Sequence, residues 1–291
     1  MSAFYLSALQ LALCLGPMAL GIYISMKVFN IPDITTDGSY TLGAVVTAIL
    51  LTGHWPLYAI LPVCILSGAL AGICTGLIHT KLKIDALLAG ILVMTGLYSI
   101  NLILLGRSNV PLINLPGIFS ISIFSNDTYN QLLVAVIIVL ILSVLLRYVL
   151  KTDFGIAMRA TGNNPVMTQS LGINNDRIKI LGLALANGLT ALSGFLVAQY
   201  QNFTDVNMGI GIVITGLGSV LIADALREWL QVRHIGLQIA LVLAGSIIFQ
   251  AVLACTLALG IDPNLLKFVT AVFVLLIVAI PRISRALQKK E

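Results

Sequence analysis

In the stretch "IPDITTDGSYTLG", Asp33 and Asp37 flank Thr35 and Thr36, Ser39 follows, and Pro32 and Gly38 break helix on either side. Two carboxylates and three hydroxyls so close together suit three kinds of chemistry. Set at membrane depth, they line or gate a polar path, and the carboxylates carry protons if that path is proton-coupled. At a helix start, Thr35, Thr36 or Asp37 satisfies free N–H groups of the first turn. In a loop they only meet water. A second polar stretch, "QNFTDVNMGIGIVITGLG", holds Asn202, Thr204, Asp205 and Asn207, an outer loop or a docking edge. Asn101 sits alone in an apolar run, suited to a hydrogen bond across helices or to a path wall.

A membrane must position these groups. Apolar residues make up 59% of the 291 positions and charged ones 9%, against about a quarter charged in soluble domains. Charge-free runs cover residues 1–26, 38–80, 86–106, 128–146, 180–204, 206–223 and 235–261, most of them near the roughly 20 residues of a spanning helix. The run 38–80 must turn back once, at His54-Trp55-Pro56. The first run lacks the positive leader and small-residue cleavage site of a signal peptide, and reads as a helix. The expectation is an all-α polytopic membrane protein, one domain over 1–291, with about nine spans at 3–26, 39–53, 57–79, 86–105, 131–150, 179–201, 210–226, 235–260 and 265–281.

The four cysteines, Cys14, Cys64, Cys74 and Cys255, lie singly in apolar segments and read as small buried hydrophobes. His54, His79 and His234 fall at segment ends, so no metal site is expected. Gly68, Gly72 and Gly76 share one face of the third span, which predicts close packing against a neighbour. The second and seventh spans are short and entered through polar, irregular stretches from opposite sides. Paired segments of that kind are the mark of an inverted repeat with discontinuous helices.

Basic residues set the orientation. With the loop 151–178 in the cytoplasm, Lys27, Lys81, Lys83, Arg147, Lys151, Arg159, Arg177, Lys179, Arg227, Arg233, Arg282, Arg285, Lys289 and Lys290 are inside, and only Arg107 and Lys267 are outside. This places the amino terminus outside and the carboxy terminus in the cytoplasm. The net charge of +5 then asks for no nucleic-acid partner.

That loop, "DFGIAMRATGNNPVMTQSLGINNDRIK", contains a helix stop followed by a start. Asn164 is a good N-cap, Pro165 suits the first helical position, and Gly172 suits the left-handed residue after the last turn. A short helix over 165–171 results, with Val166, Met167 and Leu171 as its apolar face and Arg159 and Arg177 at its flanks. Such a helix lies on lipid headgroups or docks in a groove of a soluble partner.

The run 154–200 resembles the cytoplasmic loop and following helix of permease subunits of ATP-binding-cassette (ABC) importers of the branched-chain amino acid and ribose type. The matching residues are Gly155, Arg159-Ala160, Gly162, Asn163 and Asn164, then Gly172-Ile173-Asn174, Arg177 and Ser193-Gly194. "IPDITTDGSYTLG" occupies the place of the family's signature after its first span. The paired-glycine run of the sugar and branched-chain branches is replaced by "GLGSVLIADALREW", and the combination looks more like the tryptophan/tyrosine-type permeases. The resemblance implies the fold of a type II ABC importer permease in a bacterial inner membrane. Arg159, Gly162, Asn163, Asn164, Pro165, Val166, Met167, Leu171 and Gly172 would form the coupling element for a separate ATPase. The path would be lined by Asp33, Thr35, Thr36, Asp37, Ser39 and Asn101, and an external binding protein would meet Asn202, Thr204 and Asp205. The other implied partners are a second permease copy and the lipid bilayer. No cofactor is expected on this chain, since Mg-ATP belongs to the ATPase. The solute would be small and polar, an amino acid with a lean toward aromatic ones.

The sequence agrees that energy comes from elsewhere: it has no Gly-Lys dipeptide and hence no P-loop. A proton-coupled secondary transporter is the nearest alternative, because Asp33 and Asp37 could carry protons. An intramembrane enzyme is the remote one, since neither a metal-protease nor a serine-protease motif is present.

Overall fold

The computed structural model describes residues 2–113, 115–120, 127–262 and 265–288. In chain order the helices are α1 (Ser2–Tyr23), which continues into a π-helical turn (Ile24–Val28), α2 (Thr35–Thr52), α3 (Leu57–Lys81), α4 (Ala86–Leu105), α5 (Asp127–Lys151), α6 (Asp153–Asn163), α7 (Pro165–Ser170), α8 (Asn175–Gln201), α9 (Ile212–Trp229), α10 (Ile235–Ala258) and α11 (Leu266–Gln288). Two three-residue strands, β1 (Asn109–Pro111) and β2 (Phe203–Asp205), pair antiparallel, with Asn109 opposite Asp205 and Val110 opposite Thr204. The described residues are otherwise helical, as expected, with this small ribbon as an addition.

Among the described residues, six stretches are long and apolar enough to cross a membrane: Phe4–Val28, Leu57–Lys81, Ala86–Leu105, Thr128–Lys151, Asn175–Gln201 and Ile235–Ala258. Helices α2, α9 and α11 occupy the remaining expected positions. The first two have 18 residues each, and the apolar part of α11 is short.

Burial sorts the six into two sets. The apolar windows of the first and of Asn175–Gln201 are 83% buried, whereas those of the others are 22% to 44% buried. Helices α1 and α8 therefore pack together at the centre, with the rest around them. Helix α3 lies along α8, α10 lies along α1, and α2 and α9 pair with α3 and α10 in turn. The outer helices show apolar side chains to the surroundings, among them Leu88, Leu92 and Ile103 on α4 and Leu140, Ile141 and Val144 on α5, the surface that lipid or another membrane chain covers.

The glycine face of α3 explains its seam with α8. A Cβ on Gly68 would meet Asn187 and Ala191, one on Gly72 would meet Leu183 and Ala184, and one on Gly76 would come 2.8 Å from Ile180 Cα. Replacing Gly72 by leucine forces α3 off the α8 backbone. Overpacking of this kind costs typically about 1–3 kcal/mol. The expected result is a lower thermal midpoint of the detergent-solubilised protein, read by thiol-reactive dye unfolding. The exposed Gly96, which has open space beside it, should tolerate alanine without a shift.

Cys14 and Cys64 are buried as expected, but Cys74 and Cys255 are exposed on the flanks of α3 and α10. The turn between α2 and α3 falls at His54 to Pro56 as the sequence indicates.

The bundle has two distinct ends. At one, the π turn after α1, the ends of α3 and α9, and α6–α7 come together. Lys27 pairs with Asp224, Arg227 lies 3.4 Å from the same carboxylate, and Lys81 lies 3.2 Å from Asp176. At the other, the ribbon packs on α2 and α8, and the end of α8 meets the start of α1, where Tyr200 donates to the Ser7 carbonyl at 3.2 Å.

Candidate functional site

Two constellations stand out, one at each level of the bundle. The first is the helical hairpin α6–α7. Thr152 caps α6, its hydroxyl accepting from Gly155 N–H at 3.5 Å. Gly155 lets α6 close onto the backbone of Leu150, and Met158 is fully buried beneath it. The chain then breaks at Asn164 (φ −150°, ψ 92°), the extended geometry imposed by a following proline. Asn164 Oδ1 accepts from Met167 N–H at 3.0 Å, and Pro165 starts α7. Gly172 closes the helix at φ +82°, while Ile173 N–H reaches back to the Thr168 carbonyl at 3.1 Å.

Helix α7 ends at Ser170, one residue earlier than expected, and Leu171 is its C-cap. Arg159, Gly162 and Asn163 lie on α6, an eleven-residue helix that the sequence marked only by its stop.

The hairpin is pinned from both sides. Thr168, 2% exposed, donates to Asn175 Oδ1 at 2.8 Å, and Asn175 Nδ2 donates to the Pro165 carbonyl at 2.6 Å. Asn30 Nδ2 donates to the Gly162 carbonyl at 3.1 Å, and the missing side chain of Gly162 admits the backbone of Val28 and Phe29. What remains outward is apolar: Val166 is 74% exposed, Met167 59% and Leu171 68%. Asn163, Asn164, Pro165 and Gly172 are exposed around them, and Arg159 is half-buried.

The second constellation is the start of α2. The segment is not a loop: Thr35, Thr36, Asp37 and Ser39 lie in helix and are buried, and Asp33 just before them is 3% exposed. Asp33 Oδ1 accepts from Thr35 N–H at 2.8 Å and Oδ2 from Asn187 Nδ2 at 2.7 Å. Ser39 donates to Asn187 Oδ1 at 2.7 Å, and the hydroxyls of Thr35 and Thr75 share a bond of 2.7 Å. Thr36 donates weakly to the Asp33 carbonyl. These side chains tie α2 to α8 and α3. Asp37 is different: its carboxylate accepts from Gly211 and Val213 N–H, both at 2.8 Å, and so caps the start of α9 from another helix. Asp37 also borders a small cavity with Asn101 on α4, and Asn101 Nδ2 donates to the Gly38 carbonyl at 3.4 Å.

On the ribbon side the three expected residues part. Asn202 ends α8 in the left-handed conformation (φ +57°) and is exposed. Asp205 is half-exposed and accepts from Asn207 N–H at 2.7 Å. Thr204 is corrected: it is fully buried and donates to the Ala44 carbonyl at 3.3 Å, because strand alternation turns it inward.

Sequence reading missed Asn187, Thr168 and Asn175. Asn187 had a visible signal, an amide in the middle of the apolar run 180–198.

Residues 4–280 match the family model described as the branched-chain amino acid transport system permease component. A tyrosine transport system permease protein of Clostridioides difficile (strain R20291) is 40% identical over 286 residues, covering 98% of this chain and 93% of that one. A ribose import permease protein of Haemophilus influenzae is 26% identical over 195 residues, covering 65% of this chain and 59% of that one.

Proposed function

The chain belongs to the branched-chain amino acid transport permease family, and from that premise we propose that it is the membrane subunit of an ABC importer of an amino acid, with an aromatic one favoured. The aromatic preference leans on the name of the Clostridioides difficile relative. The observation that carries the importer reading is the hairpin α6–α7. Three exposed apolar side chains stand on a short helix that Asn175 of α8 holds through Thr168 and the Pro165 carbonyl, while Asn30 holds α6 at Gly162. A docking groove on an ATPase gives them a use.

In this reading the permease works as a pair of copies in a bacterial inner membrane. Mg-ATP is hydrolysed by separate ATPases, and a loaded binding protein meets the opposite face near Asn202 and Asp205. The hairpin end is cytoplasmic and the amino terminus outside. Lys27, Lys81 and Arg227 lie at the hairpin end, which supports this orientation. Lys289 and Lys290, counted on the same side, lie outside the described residues. The α3–α8 and α1–α10 pairings, with α2 and α9 in matching places, support two inverted repeats and nine spans. The path runs on the side of α2 that faces α4, where Asp37 and Asn101 meet the cavity. Asp33, Thr35, Thr36 and Ser39 form the wall behind it.

The test is a pull-down of the tagged permease from native membranes, with ATPase assay of the eluate and uptake measured in parallel. A copurifying ATPase and uptake that survives collapse of the proton gradient support the importer. No ATPase, with uptake that follows the proton gradient, would establish a secondary transporter instead.

A further inference from the structure

The amide of Asn101 has only one workable orientation. Its Nδ2 donates to the Gly38 carbonyl, and the reverse placement would set two oxygens against each other. Asn101 Oδ1 is then a buried acceptor with no hydrogen-bond partner, in a residue 1% exposed. A bare buried acceptor is costly, so its persistence calls for a visiting donor.

Asn101 lines a cavity of about 20 Å³ together with Asp37, Thr41, Met94, Tyr98 and Ile210. That is room for one water-sized group. The polar lining is dominated by acceptors. Each oxygen of Asp37 receives one backbone N–H and keeps a lone pair, and the Thr41 hydroxyl hydrogen goes to the Asp37 carbonyl at 3.1 Å. Asp37 forms no ion pair among the described residues.

We propose that this cavity seats the primary ammonium group of the transported solute, which donates to Asn101 Oδ1 and the Asp37 carboxylate while Tyr98 faces the rest of the molecule. An ammonium group is the size of a water, has three donors and no acceptor, and so complements this lining. Tyr98 is 44% exposed beside it and offers its ring to a cation or to an aromatic side chain. The inference rests on the amino-acid reading above.

The test uses the full-length chain in nanodiscs of phosphatidylglycerol, which carries no amine. The probes are L-tyrosine, tyramine and 3-(4-hydroxyphenyl)propionate, the last having the same ring without the ammonium. L-Tyrosine and tyramine are expected to compete for one site, and the deaminated probe to bind at least about tenfold more weakly. Asn101→Leu should lose about tenfold or more in affinity for both amines and leave the weaker binding of the deaminated probe unchanged.

Equal binding of the deaminated probe, or no binding of either amine, overturns the proposal. Wild-type affinity in Asn101→Leu leaves the cavity to water alone and also overturns it. An equal loss for the deaminated probe in Asn101→Leu assigns Asn101 to the Gly38 bond instead. Displacement of tyramine on adding phosphatidylethanolamine would hand the site to a lipid headgroup. Because binding is read without partners, amine binding in a chain that shows no ATP-driven uptake keeps the site and removes the importer reading. The opposite pattern does the reverse.

Discussion

Changing Val166 and Leu171 together to glutamate is expected to strip the ATPase from the purified complex and abolish ATP-driven uptake, while the permease itself stays folded. Both side chains are mostly exposed in the chain alone, so no core contact is lost. The fixings of α7, Asn164 to Met167 N–H and Thr168 to Asn175, involve neither residue. In a docked complex each would bury an apolar side chain worth about 1.5–3 kcal/mol. Losing both, and burying carboxylates in their place, removes at least about 3 kcal/mol, or roughly a hundredfold in affinity. The readouts are ATPase recovered per permease and uptake rate, with the thermal midpoint as control. If α7 instead lies on headgroups, the ATPase will copurify undiminished with the double variant, and the docking assignment is wrong. Replacing Asn164-Pro165 by Gly-Gly attacks the same element differently. It removes the cap and the fixed φ while leaving the apolar face, so the loss should be partial.

The parts of this element that were legible from sequence were the local ones. Asn164, Pro165 and Gly172 act through bonds to residues within a few positions, and such signals survive in any one-dimensional reading. The same holds for Gly68, Gly72 and Gly76, whose spacing alone marks a face. What was hidden depends on partners more than one helical turn away. Asn175 is a plain residue in "GINND" until the fold brings it under Thr168 and Pro165. Thr204 looked like outer-loop polarity, yet pairing of β2 with β1 turns its hydroxyl to Ala44. At the start of α2, the capping reading is the one the structure bears on. The segment caps helices, but at a distance: Asp37 serves α9, and Asp33 is held by α8 as well as by its own chain. A cap that serves another helix leaves no spacing rule in the sequence.

Asn187→Leu is expected to be among the most destabilising single changes available in this chain. The amide stands between Asp33 and Ser39, donating to one at 2.7 Å and accepting from the other at 2.7 Å, and a third bond of 3.0 Å goes to the Leu183 carbonyl. All three side chains are buried, Asn187 completely. Leucine fills the volume but leaves a carboxyl oxygen and a hydroxyl facing hydrocarbon, a loss of about 3–5 kcal/mol if the carboxylate is stranded. The partner change Asp33→Leu strands the amide and the Thr35 N–H, and should also destabilise. Combining the two removes donor and acceptor together, so the double variant should be more stable than the sum of the singles by about 1–3 kcal/mol. Unfolding of the solubilised chain in a denaturing-detergent titration supplies the four corners of that cycle. Strict additivity would mean that Asp33 and Asn187 do not depend on each other. The wall behind the proposed path would then be held by the close backbone contacts of α2 on α8 at Gly43 and Gly194 and by the bond between Thr35 and Thr75.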